Sequence, residues 1–213
     1  MCTELARCLE NFIRLRRNSV EAPLALLCAR SIAKPRLFYF VLIVFSRCLQ
    51  KQVAIKVIRS EPEFGKRALA EIEALKRASD ACWALSKKRS PILRYHGFFW
   101  HEDHACIVTE LAGSDLHCAL QKAKRALALP SLRHIASQLF TALAALHNIG
   151  MVHADIKPAN ILLVDDLHSD IKLADFGSAH TADTHVREYV QSRWYRAPEI
   201  AMGIQKASTA AIE

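Results

Sequence analysis

Two short apolar runs on either side of a polar turn constrain this chain more than any other feature. Ile161 to Val164 and Ile171 to Ala174 read as strands, and the turn between them lays them side by side. Asn160 precedes the first strand and Asp175 follows the second, so an amide and a carboxylate fifteen residues apart arrive at neighbouring strand ends. The first strand is preceded by His153-Ala154-Asp155-Ile156-Lys157-Pro158-Ala159-Asn160, and Asp175 opens Asp175-Phe176-Gly177. The same stretch carries a second carboxylate, Asp155, and a cation, Lys157, close in sequence to Asn160.

The rest of the chain reads as a mixture of strands and helices. Gln52 to Arg59 is rich in β-branched residues and predicts a strand. Phe64 to Ala78 predicts a helix whose inward face carries Ala68, Leu69, Ile72, Leu75 and Lys76. Ala81 to Pro91 reads as a loop, and Ile92 to Trp100 with His104 to Leu111 as a hairpin around Glu102-Asp103. Leu132, Ile135, Ala136, Leu139, Leu143 and Leu146 recur at helical spacing and predict a helix over 131–149, ending before Gly150. Leu37 to Phe45 is the strongest apolar run. It is far short of the roughly 20 residues a membrane helix needs, so it reads as a buried strand or an aggregation-prone segment.

Further motifs lie in a fixed order around the first pair. Val53-Ala54-Ile55-Lys56 sits on the predicted strand, Glu71 follows fifteen residues later on the predicted helix, and Ala197-Pro198-Glu199 comes last. Each string alone is weak, but the order resembles that of the protein kinases. Tyr189-Val190-Gln191-Ser192-Arg193-Trp194-Tyr195-Arg196-Ala197-Pro198-Glu199 is similar to the activation-segment end of the dual-specificity tyrosine-regulated (DYRK) and pre-mRNA-processing kinases of the CMGC group. His153-Ala154-Asp155 resembles the pre-mRNA-processing branch more closely. The resemblance covers residues 51–203. It implies an α+β, two-lobe kinase fold, truncated to an incomplete β-rich N-lobe and the first part of a helical C-lobe. The expected divisions are an atypical basic and apolar segment over 1–50, a partial N-lobe over 51–112, a partial C-lobe over 113–203 and a tail over 204–213.

The resemblance also implies roles. Asp155 would accept or orient the proton of the attacking hydroxyl, and Lys157 would supply positive charge to the transferred phosphate. Asn160 and Asp175 would hold Mg²⁺, which prefers hard oxygen ligands. Lys56, paired with Glu71, would bind the α- and β-phosphates of ATP. Thr109 would back the adenine pocket, Glu110, Leu111 and Ala112 would form the hinge, and Ala54 and Leu162 would sandwich the ring. Tyr189 would be a regulatory phosphosite whose phosphate Arg193 and Arg196 could hold, since a guanidinium binds phosphate in a fork. Ala154 replaces the arginine usual at its position, which argues against a loop phosphate docking there. His153 and Phe176 read as packing residues.

Two expected parts are not found. No glycine precedes Gly65, so no glycine-rich phosphate loop lies upstream of Lys56. The chain stops fourteen residues after Glu199, before the later helices such a domain would carry. The expected activity is transfer of the ATP γ-phosphate to serine or threonine of protein substrates, splicing or nuclear factors among them, with dual specificity if Tyr189 is self-phosphorylated. The alternative is a catalytically inactive kinase fragment serving as an interaction module. The net charge of +8 is concentrated in residues 1–50, where eight Arg and Lys face three Asp and Glu. The simplest reading is a solvated basic extension, so nucleic acid is not an expected partner, and neither is a membrane. Seven cysteines, an odd number without zinc or redox spacing, suit a reduced protein of the nucleus or cytoplasm.

Overall fold

The computed structural model describes residues 39–46, 51–58, 62–85, 90–101, 103–124, 126–165, 170–181 and 191–203. The chain divides into two units, residues 1–69 with 95–111 and residues 70–94 with 112–213.

The first unit carries a four-stranded antiparallel sheet in the order β1-β2-β4-β3, made of β1 (Tyr39–Ser46), β2 (Lys51–Ile58), β3 (Tyr95–His101) and β4 (His104–Glu110). Alternation on β2 explains its orientation. Val53, Ile55 and Val57 are fully buried, while Ala54 and Lys56 between them are half-buried. Each of those three side chains contributes about 1.5–3 kcal/mol on leaving water. β4 runs between β2 and β3 and is buried from Ala105 to Thr109. The β3–β4 hairpin turns at Asp103, in the left-handed region at φ 61°, a conformation aspartate tolerates. The apolar run before residue 46 does form a strand, in register with β2 from Tyr39↔Ile58 to Ser46↔Lys51. Among the described residues it is an edge strand, with Val41 and Ile43 half-buried.

The helix α1 (Pro62–Leu85) runs past Ala78, so the loop expected from Ala81 begins later. Ala78 and Cys82 continue the buried row of Ala68, Ile72 and Leu75, which carries the helix on. Leu69, expected inward, is 48% exposed, and Lys76 faces solvent as well. Strand β3 starts at Tyr95 and not at Ile92, because Ile92 bridges in parallel to Leu173 instead.

The second unit is built on α2 (Leu116–Ala123), α3 (Leu129–Asn148), β5 (Met151–Val152), β6 (Ile161–Leu163), β7 (Ile171–Leu173), β8 (His180–Thr181) and the short α4 (Pro198–Ala201). Leu116, Ile135, Ile161, Leu163 and Ile171 form one buried cluster, with Ala119, Leu120, Leu127 and Leu139 packed against it. Helix α3 thus lies under the β6–β7 ribbon. Leu132, read as part of that inner face, is 49% exposed. Helix α2 was not anticipated. Its signal is Asp115, whose Oδ1 accepts from the Cys118 amide at 2.8 Å as an N-cap, followed by Leu116, Ala119 and Leu120 at helical spacing.

The ribbon is anchored on both sides. Leu173 N donates to Pro91 O at 2.7 Å and Leu93 N to Leu173 O at 3.0 Å, while Leu163 N donates to Ser114 O at 2.9 Å. Gly113 N donates to Leu163 O at 2.7 Å, and a Cβ on Gly113 would meet that oxygen at 2.8 Å, so the approach requires glycine.

Candidate active site

The open end of the β6–β7 ribbon assembles the site. Ile161 pairs with Leu173, and Ala174 N donates to Asn160 O at 2.9 Å, so Asn160 and Asp175 emerge side by side. Asp175 has φ 65°, a left-handed turn that redirects the chain into the one-turn helix Phe176–Ser178. Phe176 is 1% exposed and packs edge-on against His153, with ring centroids 4.8 Å apart and an interplanar angle of 66°. The expectation that both are packing residues is met.

Asp155 is the centre of a dense hydrogen-bond network. Lys157 Nζ donates to Asp155 Oδ2 at 2.5 Å, and Asn160 Nδ2 donates to the same oxygen at 3.1 Å and to Asp155 O at 2.9 Å. Ser192 Oγ donates to Asp155 Oδ1 at 2.8 Å, and Ser192 N donates to that oxygen at 3.1 Å. Lys157 Nζ also donates to Ser192 Oγ at 2.8 Å. Sequence reasoning missed Ser192. It lies 37 residues from Asp155, and nothing local marks a hydroxyl as the partner of so distant a carboxylate.

The residues fit a magnesium ion. Asn160 is buried, and its amide nitrogen is committed to Asp155, which leaves Oδ1 as the atom it could offer a cation. With the Asp175 carboxylate this makes a hard two-oxygen set, as Mg²⁺ bound through one or two protein ligands and substrate phosphates requires. Among the described residues no group of three or more His, Cys, Asp or Glu could hold a metal. Glu71, 8% exposed on α1, reaches this turn: its Oε2 and Asp175 Oδ1 each lie 3.5 Å from where a Cβ on Gly177 would stand.

His153 holds the loop at Asp155 from below. It is fully buried, Nε2 donates to Ala174 O at 3.1 Å, and Nδ1 accepts from Asp155 N at 3.3 Å. This pair of bonds fixes the neutral tautomer. Burial lowers the pKa below the ordinary 6.5, against the raising influence of the Ala174 hydrogen bond and of Asp175 and Asp155. The unfolded chain therefore binds a proton below about pH 6.5 that the folded chain refuses, and stability falls as pH drops through that value. We expect the melting temperature to fall more steeply between pH 7 and 5.5 in the parent than in His153→Gln, whose amide can still donate to Ala174 O. Parallel profiles would remove this histidine as the cause.

The other expected site residues fall in both units. In the first, Lys56 stands between Val41 and Ile107 in the sheet, Ala54 pairs with Thr109, and Val53 pairs with Glu110. Thr109 is buried, and Leu111 follows the end of β4. In the second, Ala112 leads to Gly113, and Leu162 on β6 bridges to Asp115. Arg193 lies exposed on the turn Arg193–Tyr195, and Arg196 Nη2 donates to Gln191 O at 2.9 Å. Tyr189 lies outside the described residues.

A carboxylate bound by a lysine, beside an amide and a second carboxylate on a strand ribbon, defines the class as a protein kinase catalytic domain. The chain belongs to the protein kinase domain family, which it matches over residues 40–212. It is 35% identical over 164 residues to homeodomain-interacting protein kinase 1 of Mus musculus, covering 75% of this chain and 13% of that protein. It is 40% identical over 154 residues to serine/threonine-protein kinase ppk5 of Schizosaccharomyces pombe, covering 72% and 18%. To homeodomain-interacting protein kinase 1 of Caenorhabditis elegans it is 36% identical over 156 residues, 71% and 18%. The chain thus spans less than a fifth of the length of these relatives.

Proposed function

We propose that this chain transfers the γ-phosphate of ATP to serine or threonine hydroxyls of proteins. The observation that carries the reading is the double hold on Asp155, by Lys157 and Asn160 at one oxygen and Ser192 at the other, directly beside Asn160 and Asp175. In this reading Asp155 orients the attacking hydroxyl and draws off its proton. Lys157 keeps a positive charge where the transferred phosphate would gather negative charge. Magnesium, when bound, neutralises phosphate oxygens, and Asn160 and Asp175 would hold it. Lys56, Glu71, Ala54, Thr109, Glu110, Leu111, Ala112 and Leu162 would hold the nucleotide. Tyr189 is the proposed modified tyrosine, with Arg193 and Arg196 as partners of its phosphate.

The relatives' name says that they are homeodomain-interacting, and carried to this chain it favours nuclear protein substrates and a nuclear location. Among the described residues no helix is long and apolar enough to cross a membrane.

The test is thermal unfolding with and without Mg-ATP, beside an Asp175→Ala control. A ligand at a hundred times its Kd stabilises by about 2.7 kcal/mol, which for a chain of this size is a rise of about 5–10 °C. We expect that rise in the parent and its loss in the variant. A parent that does not respond to Mg-ATP overturns the reading in favour of an interaction module.

A further inference from the structure

The catalytic loop has a second feature that phosphotransfer does not require. Ala154 sits at φ 62°, a region that alanine seldom adopts, and its side chain is 0% exposed. Its methyl belongs to a small buried cluster with Val152 and Ile200, and Ala197 packs against that cluster. The strained backbone therefore aims an apolar group from the loop into the segment that closes the domain's motif set. Asp155 is the next residue, and Ser192 grips it from the other end of the same segment.

We propose that Ala154 is an apolar latch, whose buried methyl holds Ala197 and Ile200 against the catalytic loop without a charged anchor. The segment 191–201 is then fixed at two points, one polar through Ser192 and one apolar through Ile200, and its second point does not depend on an added phosphate. The inference concerns how the segment is held and stands whether or not the chain transfers phosphate.

Native-state hydrogen exchange tests it without any assay of activity. The amides of Ala201 and Met202 donate to Ala197 O at 3.0 Å and Pro198 O at 2.9 Å, so their exchange reports detachment of this turn. In Ala154→Gly, glycine relaxes the backbone at residue 154, yet one buried methyl is lost from the contact. We expect exchange at Ala201 and Met202 about fourfold faster, with the amides of α3 unchanged. Ile200→Ala should speed the same amides by about tenfold or more. Adding Ala154→Gly to it should then bring less than a further twofold, because the partner methyl is gone. Should Ala154→Gly fail to fold, Ile200→Val removes one methyl from the other side and should give a comparable rise. Chain whose intact mass shows no phosphate should keep both amides protected. Unchanged exchange in the glycine variant, effects that multiply in the double variant, or protection seen only in phosphorylated chain would each overturn the latch.

Discussion

Asp155→Asn should lower phosphotransfer about 10³-fold, the scale set by removing a general base or its orienting carboxylate. The structure says why the loss is specific. The asparagine carbonyl can still accept from Ser192 N and Oγ at the Oδ1 position. At the Oδ2 position an NH₂ group would face Lys157 Nζ and Asn160 Nδ2, both donors. Two hydrogen bonds are lost there, at a cost of about 1–3 kcal/mol, which leaves a folded chain that unfolds a few degrees earlier. The variant should therefore still be stabilised by Mg-ATP, since Asp175 and the amide of Asn160 remain. Turnover within tenfold of the parent, on any protein substrate that the parent phosphorylates, would take the proton-handling role away from Asp155.

Phe176→Ala should cost about 3–5 kcal/mol, the usual range for deleting a buried phenyl ring. Phe176 is the largest of the fully buried side chains among the described residues, and its ring lies edge-on to His153. Removing it leaves a void under the residue that fixes Asp155 N, and beside the left-handed turn at Asp175. A loss of this size takes a large share of the stability of a domain. Urea unfolding would read it as a lower midpoint with an unchanged slope. A cost below 1 kcal/mol would mean that the ring is not the pillar its burial suggests. If the aspartate depends on the ring for its place, stabilisation by Mg-ATP should weaken along with the fold.

What the sequence made legible was the part governed by short-range rules. The β6–β7 ribbon follows from two apolar runs and a turn, and it carries Asn160 and Asp175 with it. Helix α3 follows from its repeat of apolar residues, although Leu132 is half exposed while its neighbour Ser131 takes the buried position in the first turn. The motif order singles out Asp155, Lys157 and Glu71, and the structure brings Lys157 onto Asp155 and Glu71 to the turn at Gly177. Long-range pairings stayed hidden. Ser192 is an ordinary serine until its hydroxyl is seen on Asp155, and Ile92 looks like a strand residue until Leu173 claims it. The left-handed turn at Ala154 has no local signal either, since alanine gives no hint of positive φ. Tyr189 and most of residues 1–50 lie outside the described residues.

The ribbon also bears on the order in which the chain can organise itself. Joining two points costs entropy that grows with the logarithm of the loop between them. Asn160 and Asp175 are fifteen residues apart, whereas Ser192 must find Asp155 across 37 and Leu173 must find Pro91 across a still longer stretch. Of these three closures the approach of Asn160 to Asp175 spans the shortest loop and is the least expensive, and the distant partners arrive on a scaffold that nearer neighbours have already drawn together.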